Sequence, residues 1–195
     1  MHRNALAAAL VLIPSVALAH PGHGGAPDLV HGFLHPLGGL DHILAMVAVG
    51  LFAVQLGGRA LWLVPAAFVA TMAAAGLAGM AGMQILDVEA GIALSVLVLG
   101  GAIALRLTMP VAVAMGLVAF FAVFHGYAHG AEMPEAASGL AYGAGFVTAT
   151  AILHALGIGL GLALGRFGDA IARRVAMIGG SAAALVGAVL LAGAI

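Results

Sequence analysis

The sequence predicts an all-α polytopic membrane protein, in which a cleavable signal peptide is followed by a six-helix transmembrane bundle. Of the 195 residues, 64% are hydrophobic and only 7% are charged, whereas about a quarter of a soluble domain is charged. The apolar residues form segments of membrane-spanning length, and most charges fall between them. This composition excludes a soluble enzyme, and the formal net charge of −1 excludes the basic surface of a nucleic-acid-binding protein.

Residues 1–19 have the pattern of a secretory signal peptide. A short positive region precedes an apolar stretch, and residues 17–19 (Ala-Leu-Ala) match an A-x-A cleavage site. The alternative is an uncleaved first membrane helix, which Pro14 and the shortness of the stretch disfavour. Cleavage would make His20 the mature amino terminus. Residues 20–37 would then form a histidine-rich periplasmic segment, which is too polar and too rich in Gly and Pro to span lipid.

Residues 38–195 form the predicted six-span transmembrane transport domain. Each apolar segment is close to the length of about 20 residues that crosses a bilayer as a helix. The fifth segment is the longest and leaves open a tilted or broken helix. Gly, Ala and Ser are abundant in the segments, which allows helix backbones to approach closely in lipid. The predicted spans are about 38–56, 61–83, 89–105, 109–128, 139–165 and 172–194.

The charges of the connecting loops separate by sign. Four carboxylates lie in the second and fourth loops, and every arginine beyond the signal peptide lies in the first, third or fifth loop. The positive-inside rule places arginine-rich loops in the cytoplasm, and a signal peptide that exports the amino terminus gives the same orientation. We therefore predict a bacterial inner-membrane protein with both mature termini in the periplasm. The arginines are Arg59, Arg106, Arg166, Arg173 and Arg174.

The nine histidines outnumber the six Lys and Arg residues and the seven Asp and Glu residues. A first group consists of His31, His35, Asp41 and His42, near the start of the first span. Drawn as one helix, its three histidines share a narrow face, although Pro36 fits the first turn of a helix better than its interior. Asp41 points about 100° away from His42 on that wheel. It is therefore either a direct metal ligand or a residue that orients a ligating imidazole.

A second group lies at the outer end of the fourth span. His125, His129 and Glu132 have the spacing i, i+4, i+7, which places them on one helical face. Two imidazoles and a carboxylate in this arrangement form half of a metal site. The first span starts outside and the fourth ends outside, so the two groups are predicted to lie at the same depth. The sequence thus predicts a metal site on the periplasmic side.

The remaining histidines leave alternatives open. His154 lies well inside the fifth span, where an ionisable side chain is costly, and it is either a deeper ligand or a helix–helix hydrogen-bond partner. His20 would offer both its α-amine and its imidazole, and with His23 it either captures metal or belongs to a solvated tail. Imidazole and carboxylate ligands without cysteine suit Ni²⁺, Co²⁺, Zn²⁺ or Cu²⁺. The candidate ligands are His20, His23, His31, His35, Asp41, His42, His125, His129, Glu132 and His154.

Two motifs resemble the HupE/UreJ family of nickel/cobalt permeases. They are HPLGGLDH at residues 35–42 and FHGYAHGAE at residues 124–132. The larger NiCoT permeases have a shorter H-x4-D-H spacing, which favours HupE/UreJ. The resemblance extends over essentially the whole chain. It implies secondary uptake of Ni²⁺, or in some members Co²⁺, for hydrogenase, urease or cobalamin synthesis.

The sequence therefore predicts a permease rather than an enzyme. The metal ion is its transiently bound substrate, no prosthetic group is expected, and the lipid bilayer is its other partner. No P-loop motif occurs, so no ATPase subunit is expected, and an inside-negative potential favours divalent cation entry by about 4.6 kcal/mol per 100 mV. Two alternatives remain: an intramembrane zinc hydrolase with Glu132 as base, and a metal sensor or storage subunit.

Overall fold

The computed structural model describes residues 26–135 and 137–195, which are helical apart from short loops and contain no strand. The predicted signal peptide and the candidate ligands His20 and His23 lie outside the described residues. A 3₁₀ turn, His35–Leu37, connects the first two helices. The α-helices are α1 Ala26–Leu34, α2 Leu40–Leu56, α3 Ala60–Met80, α4 Val88–Ala104, α5 Val111–Ala131, α6 Gly139–Gly165 and α7 Asp169–Ala194.

Helices α2 to α7 occupy the six predicted segments, with ends that agree within a few residues. Four of them, α3, α5, α6 and α7, are long and apolar enough to cross a bilayer. Helix α6 matches the fifth predicted span and continues without a break. Helix α4 has 17 residues, or about 26 Å, slightly less than a hydrocarbon core of about 30 Å. The fold is thus that of an all-helical, multi-pass membrane protein.

The chain bends sharply before α2. The helical segments Asp28–Leu37 and Leu40–Leu56 meet at 81°. Pro36 lies in the first turn of the 3₁₀ segment, and Gly39 is the extended residue that precedes α2. Proline restricts the residue before it and lacks an amide proton, so it fits the start of a helical segment. The histidines of the first group therefore do not share one helix, as Pro36 indicated.

The helices pack in pairs. Helix α3 packs most extensively on α5, α4 on α7, and both α1 and α2 on α6. Glycines bring the paired backbones into contact, because a side chain at Gly126 would collide with the carbonyl of Met72 and one at Gly157 with the carbonyl of Val47. Buried apolar side chains fill the space between the pairs. The largest of them include Met46, Phe52, Phe68, Met72, Ile92 and Leu99.

The two ends of the bundle carry different charges. We call the end where α2 begins and α5 ends the histidine end, because His35, His42 and His129 lie there. The opposite end, where α2 ends and α7 begins, contains all the arginines of the described chain, and we call it the arginine end. Asp169 is the one described carboxylate at the arginine end. The fold thus separates the charges in the pattern predicted from the loops.

Candidate metal site

The outermost contact of the site joins the 3₁₀ turn to the end of α5. Nε2 of His35 lies 2.8 Å from Oε2 of Glu132, and the Glu132 side chain is 54% exposed. Helix α5 ends at Ala131, and Glu132 caps it in a helical conformation with its N–H bonded to the carbonyl of Ala128. Glu132 and His129 both contact His35, which agrees with the common face predicted for them. The His35–Glu132 pair is open to water at the histidine end.

Inward from this pair, imidazole rings contact one another in series. The ring centroids are 5.0 Å apart for His35 and His129, 4.7 Å for His129 and His42, and 4.7 Å for His42 and His125. Two imidazoles that ligate one metal tetrahedrally, with metal–nitrogen distances of about 2.0–2.1 Å, have ring centroids roughly 5 Å apart. The structure thus brings together the two histidine groups that the sequence predicted to meet.

Asp41 holds His42 in a defined orientation. Oδ1 of Asp41 lies 2.8 Å from Nδ1 of His42 and also accepts a hydrogen bond of 2.6 Å from the backbone N–H of His42. An ionised carboxylate can only accept hydrogen bonds, so Nδ1 carries the proton. Nε2 is buried without a partner in the described chain and keeps its lone pair for a cation. The geometry favours the interpretation of Asp41 as the residue that orients a ligand.

Ser95 on α4 orients His125 in a similar way. Its hydroxyl lies 2.6 Å from the carbonyl oxygen of Ile92 and 2.9 Å from Nε2 of His125. The single hydroxyl proton is donated to the carbonyl, so Nε2 of His125 carries a proton and donates it to the hydroxyl oxygen. Nδ1 of His125 is buried and has no partner among the described residues. Sequence reasoning missed Ser95, because one serine in an apolar helix has no spacing signal.

His129 lies between His35 and His42 in this series of rings. It is 1% exposed, and neither ring nitrogen has a hydrogen-bond partner in the described part of the chain. Its ring stacks on Phe146 at 5.2 Å. A buried polar atom without a partner costs free energy, and a cation would supply the missing partner. Residues 26–135 and 137–195 contain no group of three His, Cys, Asp or Glu side chains already arranged to hold a metal ion.

His154 lies apart from the other rings. It is 2% exposed on α6, and Phe68 of α3 contacts both it and His125, with ring centroids 5.1 Å from His154 and 5.7 Å from His125. Both nitrogens of His154 lack a partner within the described residues, so the structure does not show the helix–helix hydrogen bond considered from the sequence. Phe68 was also missed, because a phenylalanine in an apolar helix is indistinguishable from any core residue.

His31 lies at the edge of the site. It is exposed, and its ring centroid is 6.3 Å from that of His35 and 5.8 Å from that of Tyr142. Tyr142 is 1% exposed, and its hydroxyl has no partner in the region that the structure covers. The sequence analysis did not identify Tyr142, whose ring packs 6.0 Å from His35.

Comparison with known proteins shows the family of the chain. The family model described as HupE / UreJ protein matches residues 8–190. Protein HupE from Rhizobium leguminosarum bv. viciae is 47% identical over 186 residues, which cover 95% of this chain and 95% of that protein. No solved structure matches the chain. The extent of the family match, together with this identity, shows that the chain belongs to the HupE/UreJ family.

Proposed function

We propose that this protein is a permease that carries Ni²⁺, or alternatively Co²⁺, from the periplasm across the bacterial inner membrane. The observation that carries the proposal is the series of imidazole rings from the exposed His35–Glu132 pair to the buried His125. Membership of the HupE/UreJ family favours transport over the zinc hydrolase and the storage subunit. The imported ion would supply hydrogenase, urease or cobalamin synthesis.

Capture of the ion begins at the histidine end. The arginine end faces the cytoplasm under the positive-inside rule, so the histidine end faces the periplasm. There the exposed carboxylate of Glu132 attracts a hydrated cation, and the half-exposed imidazole beside it replaces a water ligand. The predicted amino-terminal histidines, His20 and His23, would add to this capture.

Transfer into the bundle uses the free ring nitrogens of three buried or half-buried histidines. His129, His42 and His125 each present at least one nitrogen without a partner in the described residues. Asp41 and Ser95 fix which nitrogen of the latter two is protonated. Neutral imidazoles without thiolates suit a borderline divalent ion such as Ni²⁺ or Co²⁺. The ion can therefore pass between neighbouring rings by exchanging one imidazole for the next.

Passage beyond His125 runs past Phe68, whose ring contacts both His125 and His154. His154 then offers the next ligand, with Phe68 rather than another imidazole against its ring. The inside-negative membrane potential favours this inward step by about 4.6 kcal/mol per 100 mV for a divalent cation. No additional coupling ion is required by the energetics.

Uptake of ⁶³Ni²⁺ into proteoliposomes with an inside-negative potential tests the proposal. The protein should accumulate ⁶³Ni²⁺ above protein-free liposomes, and His129→Ala should abolish this uptake. His31→Ala is the matched control, because His31 lies at the edge of the site, and it should retain most of the uptake. Competition with Co²⁺, Zn²⁺ and Cu²⁺ measures selectivity. Equal uptake by His129→Ala and the unsubstituted protein, or metal-dependent hydrolysis without uptake, would contradict the proposal.

A further inference from the structure

A cavity of about 320 Å³ lies at the arginine end, between α2, α4, α6 and α7. It is separate from the histidine site, which occupies the opposite end of the same helices. Most of its wall is apolar, but four polar or charged side chains also line it: Gln55, Arg106, Asp169 and Arg173. None of these residues has a role in the permease mechanism proposed above.

Arg106 reaches the cavity from a strained backbone. Its φ is +53°, in the left-handed region that glycine adopts most easily. Arg106 follows the end of α4, where its N–H bonds to the carbonyl of Ile103 at 3.1 Å and the N–H of Leu107 bonds to that of Ala102 at 2.9 Å. Glycine is the usual residue at this position of such a helix end. Strain at a non-glycine residue is a reason to look for a function of its side chain.

Gln55 of α2 holds this strained turn in place. Its Nε2 donates hydrogen bonds to the carbonyl oxygens of Ala102, at 3.1 Å, and Leu107, at 3.0 Å. These two carbonyls flank Arg106 on either side along the chain. The bonds tie the end of α4 to the end of α2, and they fix the starting point of the Arg106 side chain at the cavity wall.

Arg173 on α7 lines the same cavity. Both Arg106 and Arg173 are exposed, and neither forms an ion pair within the described residues. Asp169 is the one carboxylate on the wall, so the charged side chains have an excess of one positive charge. Guanidinium groups bind phosphate oxygens through paired hydrogen bonds. The charge and the chemistry of this wall therefore fit a phosphate group.

We propose that Arg106 and Arg173 bind a phosphate group in this cavity. The head group of an anionic phospholipid is one source, because the arginine end is the predicted cytoplasmic end and the cytoplasmic leaflet is negatively charged. A soluble phosphate ester is the other source. Only the choice of leaflet rests on the orientation of the permease, and phosphate binding does not depend on which metal the protein carries.

The test compares three single variants of the full-length protein in neutral detergent. Binding of phosphatidylglycerol is counted by native mass spectrometry, and the melting temperature is measured with phosphatidylglycerol, phosphatidylcholine or glycerol 3-phosphate. Arg106→Gly and Arg173→Gln should each weaken phosphatidylglycerol binding by about tenfold, as expected for losing a charge-assisted contact. Arg174→Gln is the matched control, because Arg174 is exposed next to Arg173 but does not line the cavity. It should bind as the unsubstituted protein does.

Arg106→Gly separates ligand binding from folding. Glycine relieves the left-handed backbone while the guanidinium is lost, so the melting temperature without lipid should not fall. The increase in melting temperature that phosphatidylglycerol causes in the unsubstituted protein should disappear in this variant. Glycerol 3-phosphate could also raise the melting temperature of the unsubstituted protein. If Arg106→Gly and Arg173→Gln both remove that increase, the phosphate site is supported and its ligand is a soluble phosphate ester. Equal weakening by all three arginine variants, or by none of them, would overturn the proposal, and neither measurement depends on metal uptake.

Discussion

The Ser95 hydroxyl of α4 lies 2.9 Å from Nε2 of His125 on α5. His42 is oriented in the same way, because Oδ1 of Asp41 lies 2.8 Å from its Nδ1. In each case the partner fixes one ring nitrogen, while the other is buried without a partner in the described chain. The centroids of the two rings are 4.7 Å apart. Two imidazoles oriented from different helices thus present free nitrogens in the same part of the bundle.

Ser95→Ala should therefore impair uptake without removing any ligand. His125 would lose the bond that fixes its protonated nitrogen, and loss of such a supporting bond typically lowers metal affinity by about 10–100-fold. The expected result is a rise of that order in the Ni²⁺ concentration for half-maximal uptake. Thr148→Ala is the control, because the Thr148 hydroxyl is exposed and donates its hydrogen bond to Ala144 of its own helix. An unchanged half-maximal concentration in Ser95→Ala would contradict the role assigned to the serine.

Substitutions of Asp41 should separate orientation from charge. Asp41→Ala removes the hydrogen-bond acceptor for Nδ1 of His42 and should raise the half-maximal Ni²⁺ concentration by about 10–100-fold. Asp41→Asn retains an acceptor oxygen, so uptake should fall less. Asp87→Asn, a carboxylate substitution at the same end of the bundle, should leave uptake unchanged. If the Asn variant were as impaired as the Ala variant, the carboxylate charge would be essential and orientation alone would not explain Asp41.

Uptake should fall as the external pH is lowered through about 6. Imidazole binds a metal only in its neutral form, and an ordinary imidazole has a pKa of about 6.5. Protons therefore compete with the metal at low pH, and the effect should reverse when the pH is raised. Initial uptake rates at external pH 5 and pH 7.5, at one clamped membrane potential, check this. Equal rates would exclude capture by histidine.

Hydropathy was sufficient to predict α2 to α7, because each is an apolar run between polar loops. It did not predict α1, Ala26–Leu34, which has nine residues and follows a stretch rich in Gly and Pro. A helix of this length is marginal without packing partners. Its partner is α6, because a side chain at Gly32 of α1 would collide with the backbone of α6, and one at Gly145 of α6 would collide with the backbone of α1. Such long-range contacts have no signature in one sequence.

In the candidate site, too, local sequence spacing predicted some features, while others depend on contacts between helices. The spacing of His125 and His129 predicted their common face correctly, because both lie on the continuous helix α5. Glu132 caps α5 in a helical conformation and contacts His35, as His129 does. Ser95 and Phe68 lie on other helices and meet His125 only in the folded bundle. Sequence spacing thus grouped the candidate ligands of one helix, but it did not predict the residues that neighbouring helices supply.

Gly126→Ala should destabilise the bundle. A methyl group there would collide with the carbonyl of Met72, and overpacking of this kind costs about 1–3 kcal/mol. Gly116→Ala is a control on the same helix, because nothing lies within 4 Å of a side chain at Gly116. That variant should be unchanged or stabilised by up to about 1 kcal/mol through helix propensity. Melting temperatures in detergent measure the stability of both variants. Equal melting temperatures for the two variants would contradict the close α3–α5 contact.

His154→Leu distinguishes a transport role for this histidine from a structural one. Both ring nitrogens are buried without partners in the described chain, and an unsatisfied buried group costs about 1–3 kcal/mol. Leucine removes that cost, so the variant should melt at a higher temperature. Uptake should nevertheless slow by about tenfold or more, which corresponds to a barrier raised by about 1.4 kcal/mol.

Thr150→Val provides the matched control for His154→Leu. Thr150 is a buried polar residue on α6 whose hydroxyl donates a hydrogen bond to the sulfur of Met72, at 3.5 Å, and its replacement should leave uptake intact. A His154→Leu variant that melts at a lower temperature and transports normally would show that the imidazole serves packing. Higher stability together with slower transport would mean that the protein retains a destabilising histidine because the ion requires it as a ligand.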